Sequence, residues 1–306
     1  MIKNDVVLLC PLYDMKNHFE LAYNLFKSKL DHQVNADMCF IFSDKEQMTK
    51  FNNLIYTSFK QYPDSLILDP SLLPLKAKVA VKKFYGLRML MNKYKYIALV
   101  DSETLIIKGG DYLKLFESIW NSQTMFVCNK SLDGFFIIRE CFKTLGINNN
   151  PILLKEFGHY RYNFWFNEIQ VYNCETLPGF FKWFDKFDIN SWGNDPYCFE
   201  YYIYAAYLIL EKGFHLKRTN YSSMGGIMEY LYNFPEERQK EIIQTIGTHW
   251  SSNPHVTTEN TYLLFHLDRK KDSHDYSYKL PYTTILKMYI RMYKSILKDY
   301  LHSLSR

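Results

Sequence analysis

The sequence predicts an α/β fold in which a mostly parallel sheet is flanked by helices, and three observations carry that prediction. Val6, Val7, Leu8 and Leu9, then Met38, Cys39, Phe40, Ile41 and Phe42, then Ile97, Ala98, Leu99 and Val100, form short uninterrupted apolar runs, the pattern of strands buried on both faces. Between these runs the apolar residues recur at helical spacing. Strand, helix, strand, helix in that order calls for right-handed crossovers between parallel strands.

The elements follow in order. The first strand is ended by Pro11 and followed by Tyr13, and residues 17–30 put Phe19, Tyr23, Phe26 and Leu30 on one helical face. The second strand stops at Ser43 and Asp44, and a helix is predicted over 45–59. Pro70 and Pro74 punctuate a loop before a helix over 78–92, whose Lys82, Lys83 and Arg88 would project toward the end of the next strand. Gly109 and Gly110 break the chain ahead of a helix over 112–120. A strand is predicted at 125–128, and a turn with a further strand at 133–138. The run of Gly146, Asn148, Asn149, Asn150 and Pro151 is a breaker. Residues 168–173 alternate as a strand, and Phe180, Phe181, Trp183 and Phe184 belong to the helix after it.

The stretch that organises the chain is the third apolar run, which ends abruptly in Asp101-Ser102-Glu103. In open α/β sheets, ligands bind outside the carboxyl ends of the strands. Residues i and i+2 of an extended chain point the same way, so a strand continuing through this stretch would let Asp101 and Glu103 share one hard divalent cation. Pro11, Tyr13, Ser43 and Asp44 would line the same edge. The chain has neither G-x-G-x-x-G nor G-x-x-x-x-G-K. A nucleotide bound here would therefore have its phosphates neutralised by metal and by basic side chains such as Lys83 and Arg88.

Composition sets the outer bounds. With 306 residues, 47% hydrophobic and 23% charged, the chain has ample material for a packed core. Its net charge of +5 is spread out, which speaks against a nucleic-acid partner. The six cysteines form no C-x-x-C pair and are expected as free thiols in a reducing compartment. No apolar stretch approaches the roughly 20 residues of a spanning helix, and no secretory leader is read at the N-terminus. A cytoplasmic protein, soluble or peripheral on the inner face of a membrane, is expected.

Four segments together resemble glycosyltransferases of the GT-A fold, within it the group of glycogenin and the bacterial lipooligosaccharide galactosyltransferases. They are the helix leading into the strand that ends Asp101-Ser102-Glu103, in the place of the family's D-x-D; Phe166-Asn167-Glu168-Ile169-Gln170-Val171-Tyr172-Asn173; Gly193-Asn194-Asp195-Pro196; and Leu263-Leu264-Phe265-His266-Leu267-Asp268-Arg269-Lys270-Lys271. The resemblance spans about residues 5–272. It implies a GT-A-like, Rossmann-like mixed sheet in a single catalytic domain over 1–272, with a nucleotide half of about 1–110 and an acceptor half of about 111–272. It further implies Mn2+ or Mg2+ held by Asp101, Glu103 and His266, and a nucleotide sugar, UDP-linked, contacted by Ser102, Asn167 and Lys271. Asn194 and Asp195 would lie at the donor sugar. The group is retaining; inversion would instead use Asp195 or Glu200 as general base. The acceptor implied is a bacterial surface glycan or glycolipid.

Residues 273–306 form a basic segment, with a predicted helix over 282–304 that carries Leu286, Ile290, Tyr293 and Leu297 on one side and Lys287, Arg291, Lys294 and Lys298 on another. That pattern suits packing on the domain or lying on an anionic membrane surface. Two other functions use the same features: a nucleotidyl- or phosphotransferase with the same cation, and a non-catalytic peripheral membrane protein organised around the terminal helix.

Overall fold

A computed structural model describes residues 5–12, 18–72, 75, 78–106, 109–121, 123–127, 132–160, 162, 170–187, 199–218, 224–227 and 264–267. The central element is a five-stranded sheet. Its strands are β1 (Val6–Pro11), β2 (Asp37–Phe42), β3 (Asp64–Ile67), β4 (Tyr96–Leu99) and β7 (Gln170–Asn173), in the spatial order β3-β2-β1-β4-β7. The first four run parallel and β7 is antiparallel to β4. The fold is thus α/β with a mixed, mostly parallel sheet, as the apolar runs predict.

Alternation along the strands divides the interior into two cores, because successive side chains point to opposite faces. Val7, Leu9, Cys39, Ile41, Ile97 and Leu99 face one side. They pack there with α3 (Lys78–Leu90), α5 (Leu132–Thr144), α7 (Leu177–Phe184) and α8 (Glu200–Lys212). Val6, Leu8, Cys10, Phe40, Phe42, Ala98 and Val100 face the other, under α1 (His18–Asp31), α2 (Lys45–Phe59) and α4 (Tyr112–Asn121). No described helix is long and apolar enough to cross a membrane.

Helix α3 sets the geometry of the site, and Gly86 sets α3. A Cβ at that position would meet Ile41 and would come within 2.7 Å of Leu9 Cδ2, so the helix lies closer to the sheet than any side chain there permits. Running antiparallel to the strands, α3 has its first turns at their carboxyl ends.

Two small sheets complete the described structure. One joins β5 (Thr104–Ile106), β9 (Met224–Ile227) and β10 (Leu264–Leu267) in the order β5-β10-β9, and the other pairs β6 (Thr124–Val127) with β8 (His215–Arg218). A short helix, α6 (Pro151–Glu156), follows the Gly146–Pro151 breaker, with Asn150 as its N-cap.

The strand predicted at 133–138 is instead part of α5. Its buried residues Ile137, Ile138, Cys141 and Phe142 follow a helical stripe that a six-residue apolar window does not reveal. Cys10, Cys39, Cys141 and Cys174 are in no disulfide. The segment 273–306, with its predicted amphipathic helix, lies outside the described residues.

Candidate functional site

The parallel strands bring Pro11, Ser43 and Asp101 to one edge. Leu12 N–H donates to Ile41 O (2.9 Å) and Val100 N–H to Leu9 O (3.0 Å), which carries the pairing of β2, β1 and β4 to the strands' last residues. Beyond Val100 the chain does not stay extended as the sequence reading assumed. Thr104 N–H donates to Asp101 O (3.0 Å), closing a turn over residues 101–104. Both carboxylates nevertheless lie near enough to the end of β1 for their charge to be felt there. The thiol of Cys10, enclosed at the end of β1, is pushed well up, by burial first and then by the negative charges of Asp101 and Glu103. Ser102 Oγ donates to Glu103 Oε2 at 2.9 Å.

Two adjacent lysines of α3 are directed into this edge, and both are buried, at 1% and 8% exposure. A solvated helix face is thereby excluded for them. Lys82 Nζ donates to the Leu12 carbonyl at the end of β1. Lys83 Nζ lies 2.8 Å from Glu200 Oε1 and 3.5 Å from Asp101 Oδ1. Burial alone would lower the pKa of Lys83, but the attraction of Asp101 and Glu200 outweighs it and holds the ammonium above its ordinary range.

Glu200 opens α8, where an anion is favoured by the helix dipole. Its side chain is only 3% exposed, whereas that of Asp101 is 40% exposed. Lys83 therefore joins one inaccessible carboxylate to one that remains open to a ligand. The Tyr172 hydroxyl, buried beside this group, is also pushed well up, by burial and then by the charge of Glu200.

The turn after Asp101 leads into β5, and β5 meets β10. Thr104 is the register partner of His266 in the antiparallel pair β5-β10, while Gly226 faces His266 on the other side. Two segments separated by some 160 residues of chain are thus neighbours, and His266 stands one backbone position across from the carboxylate turn. Thr104 Oγ1 is buried with no hydrogen-bond partner among the described residues. The carboxylate oxygens of Asp101 and Glu103 are hard donors, of the kind that suits Mg2+ or Mn2+. Among the described residues no third His, Cys, Asp or Glu completes a cluster with the two carboxylates.

Other predicted site residues stand elsewhere or have local duties. Asp44 is exposed and caps α2, accepting from Gln47 N–H at 2.9 Å. The Asp-x-x-Gln spacing carries that signal in the sequence. Arg88, further along α3, pairs with Asp185 and lies over the Phe181 ring (4.1 Å to the centroid), tying α3 to α7 rather than reaching the carboxylates. Tyr13, Asn167, Asn194, Asp195 and Lys271 lie outside the described residues.

Lys82 as a clamp on the strand end and Thr104 beside His266 were not singled out from sequence. The flanking Val79, Ala80, Val81 and Phe84 are the trace of a buried helix start.

No family model matches the chain, and no curated protein matches it in sequence. Among solved structures it is similar to core-mannan synthase A from Aspergillus fumigatus in its Mn/GDP form, at 10% identity over 72% of this chain and 73% of that one, with a TM-score of 0.46. It is also similar to the glycosyltransferase GlyE of Streptococcus pneumoniae, at 11% identity over 98% of this chain and 64% of that one, TM-score 0.35. Mouse xyloside xylosyltransferase 1 matches at 9% identity over 87% and 98% of the two chains, TM-score 0.39. The chain spans less than two thirds of the length of the pneumococcal protein.

Proposed function

We propose that this chain is a GT-A-type glycosyltransferase that moves a sugar from a nucleotide sugar, UDP-linked, to a bacterial surface glycan or glycolipid. The observation that carries the reading is the Asp101–Glu103 turn at the carboxyl edge of β1 and β4, with Lys83 held against it by buried Glu200. The four motif segments of the sequence supply the sugar chemistry.

Breaking an anomeric bond leaves new negative charge on the departing diphosphate, so groups of positive charge fixed in advance lower the barrier. Asp101, Glu103 and His266 would hold Mn2+ or Mg2+, which when bound supplies such charge. Lys83 adds an ammonium that cannot swing away, because Glu200 anchors it from behind. Glu200 is therefore read as a positioning residue in place of a general base: its buried carboxylate already holds Lys83. Asn194 would orient sugar hydroxyls and Asp195 would accept the proton of the acceptor hydroxyl. Lys271, with Arg269 and Lys270, would bond the phosphates.

The test is turnover of UDP-sugars by the purified chain with Mn2+, and by Asp101→Asn and Glu103→Gln. Each variant is expected to keep its fold and to lose at least about 100-fold in turnover, the scale of one removed electrostatic contact. Chelation should abolish activity and added Mn2+ restore it. Full activity in both variants would overturn the reading, and release of pyrophosphate in place of UDP would reassign it to nucleotidyl transfer.

A further inference from the structure

At the other edge of the sheet, where β4 begins and β7 ends, lies a cavity of about 450 Å³, within the range of about 300–1,000 Å³ typical of small-molecule sites. It is separated from the carboxylate turn by the length of β4: Lys95 and Tyr96 line it, and Asp101 lies roughly 16 Å further along at about 3.3 Å per residue. We infer that this cavity is a second, non-catalytic binding site for a neutral carbohydrate.

Three features of its lining select that class. The first is an aromatic wall fixed in place. Trp120 lines the cavity partly exposed, and it is backed by Phe214 and Tyr204 at centroid distances of 5.0 and 6.1 Å. An indole so held offers an apolar face to the C–H side of a sugar ring, at no further cost of ordering.

The second is balanced charge. Lys95 donates to Glu117, and Glu175 and Lys212 add one charge of each sign. A phosphate or carboxylate ligand would find no net positive field here. The third is a supply of both donors and acceptors. Asn121 is exposed at the rim, and Asn173 Oδ1 accepts from Glu175 N–H (2.9 Å), which leaves the Asn173 amide NH2 to donate. Aromatic face, cancelled charge and planar amides suit a polyhydroxylated, uncharged ligand.

Saturation-transfer NMR on the full chain, with neutral hexasaccharides of α-glucan, β-glucan, α-mannan and galactan as probes, tests the inference. At least one hexasaccharide is expected to bind. The exposed double substitution Asn121→Ala/Glu175→Ala should weaken it by about tenfold or more, and Trp120→Ala should abolish binding where Trp120→Phe retains part of it. The pair Asp101→Asn/Glu103→Gln should leave binding unchanged. UDP-sugar turnover measured on the same samples separates the two sites, since turnover lost with hexasaccharide binding kept assigns them different work. Failure of every probe to bind, binding that survives both cavity variants, or binding lost with the Asp101/Glu103 pair would each overturn the second site.

Discussion

At the amino-terminal edge of the five-stranded sheet the Tyr94 hydroxyl lies 3.0 Å from both Asp37 Oδ2 and Asp64 Oδ2, whereas at the carboxyl edge Lys83 lies between Glu200 and Asp101. Each edge gathers two carboxylates around a proton donor. At the amino edge the donor is neutral, gives its one proton to one carboxylate at a time, and water reaches the group through exposed Asp64. At the carboxyl edge a full ion pair is enclosed, and only Asp101 keeps an open side. A buried pair of charges is seldom the more stabilising choice, since apolar residues of similar volume commonly serve as well. Its presence at one edge and, among the described residues, not at the other is what the catalytic role proposed for the carboxyl edge would account for.

The sharpest way to break this contrast is to remove one charge and then both. Lys83→Met leaves Glu200 buried and unpaired, and is expected to cost about 3–5 kcal/mol in urea denaturation. Lys83→Met/Glu200→Leu should regain most of that loss while UDP-sugar turnover stays abolished. Should the double variant turn over like the parent chain, the pair is structural and the two edges differ only in their solvation.

How much of this edge could be read in advance depends on the range of the interactions that build it. The strands β1, β2 and β4 were legible because each is a continuous apolar run, and the Asp101-Ser102-Glu103 stop follows from the last of them. Strand β3 was missed: it begins at exposed Asp64, is only partly buried beyond it, and shows no apolar run. The small strands β5, β9 and β10 are a few residues long and exist through pairing between distant segments, which local periodicity does not encode. That Lys82 and Lys83 are buried was not legible, because lysine rarely enters a core unpaired and their partners, the Leu12 carbonyl and Glu200, lie 70 and 117 positions away in the chain. The turn at 101–104 was hidden for a similar reason, since an apolar run does not announce where extension ends.

Smaller effects sharpen the contrast. Gly86→Ala forces α3 away from Leu9 and Ile41, and overpacking of this kind costs about 1–3 kcal/mol. Because α3 carries Lys82 and Lys83, turnover should fall with stability, by a factor that a calorimetric melt and a donor assay on the same sample would read together. Tyr94→Phe removes the hydroxyl at the other edge and should cost about 1 kcal/mol with turnover unaltered. A loss of turnover there would mean that the two edges are coupled through β4.

The smallest change separates two roles for one residue at the carboxyl edge. Asp44 was expected to contact a nucleotide, and it caps α2 through Gln47 N–H. Asp44→Ala should cost about 1 kcal/mol, the usual worth of an N-cap, whereas Asp44→Asn keeps an oxygen acceptor for Gln47 and should leave stability near that of the parent. Nucleotide affinity decides between the roles, because a thermal shift produced by UDP depends on binding to the folded state. If Asp44 only caps the helix, the UDP-induced shift of Asp44→Asn matches that of the parent chain. If the carboxylate itself meets the nucleotide, Asp44→Asn keeps its stability and loses the shift, and the ligand edge then extends from Asp101 across β1 to the end of β2.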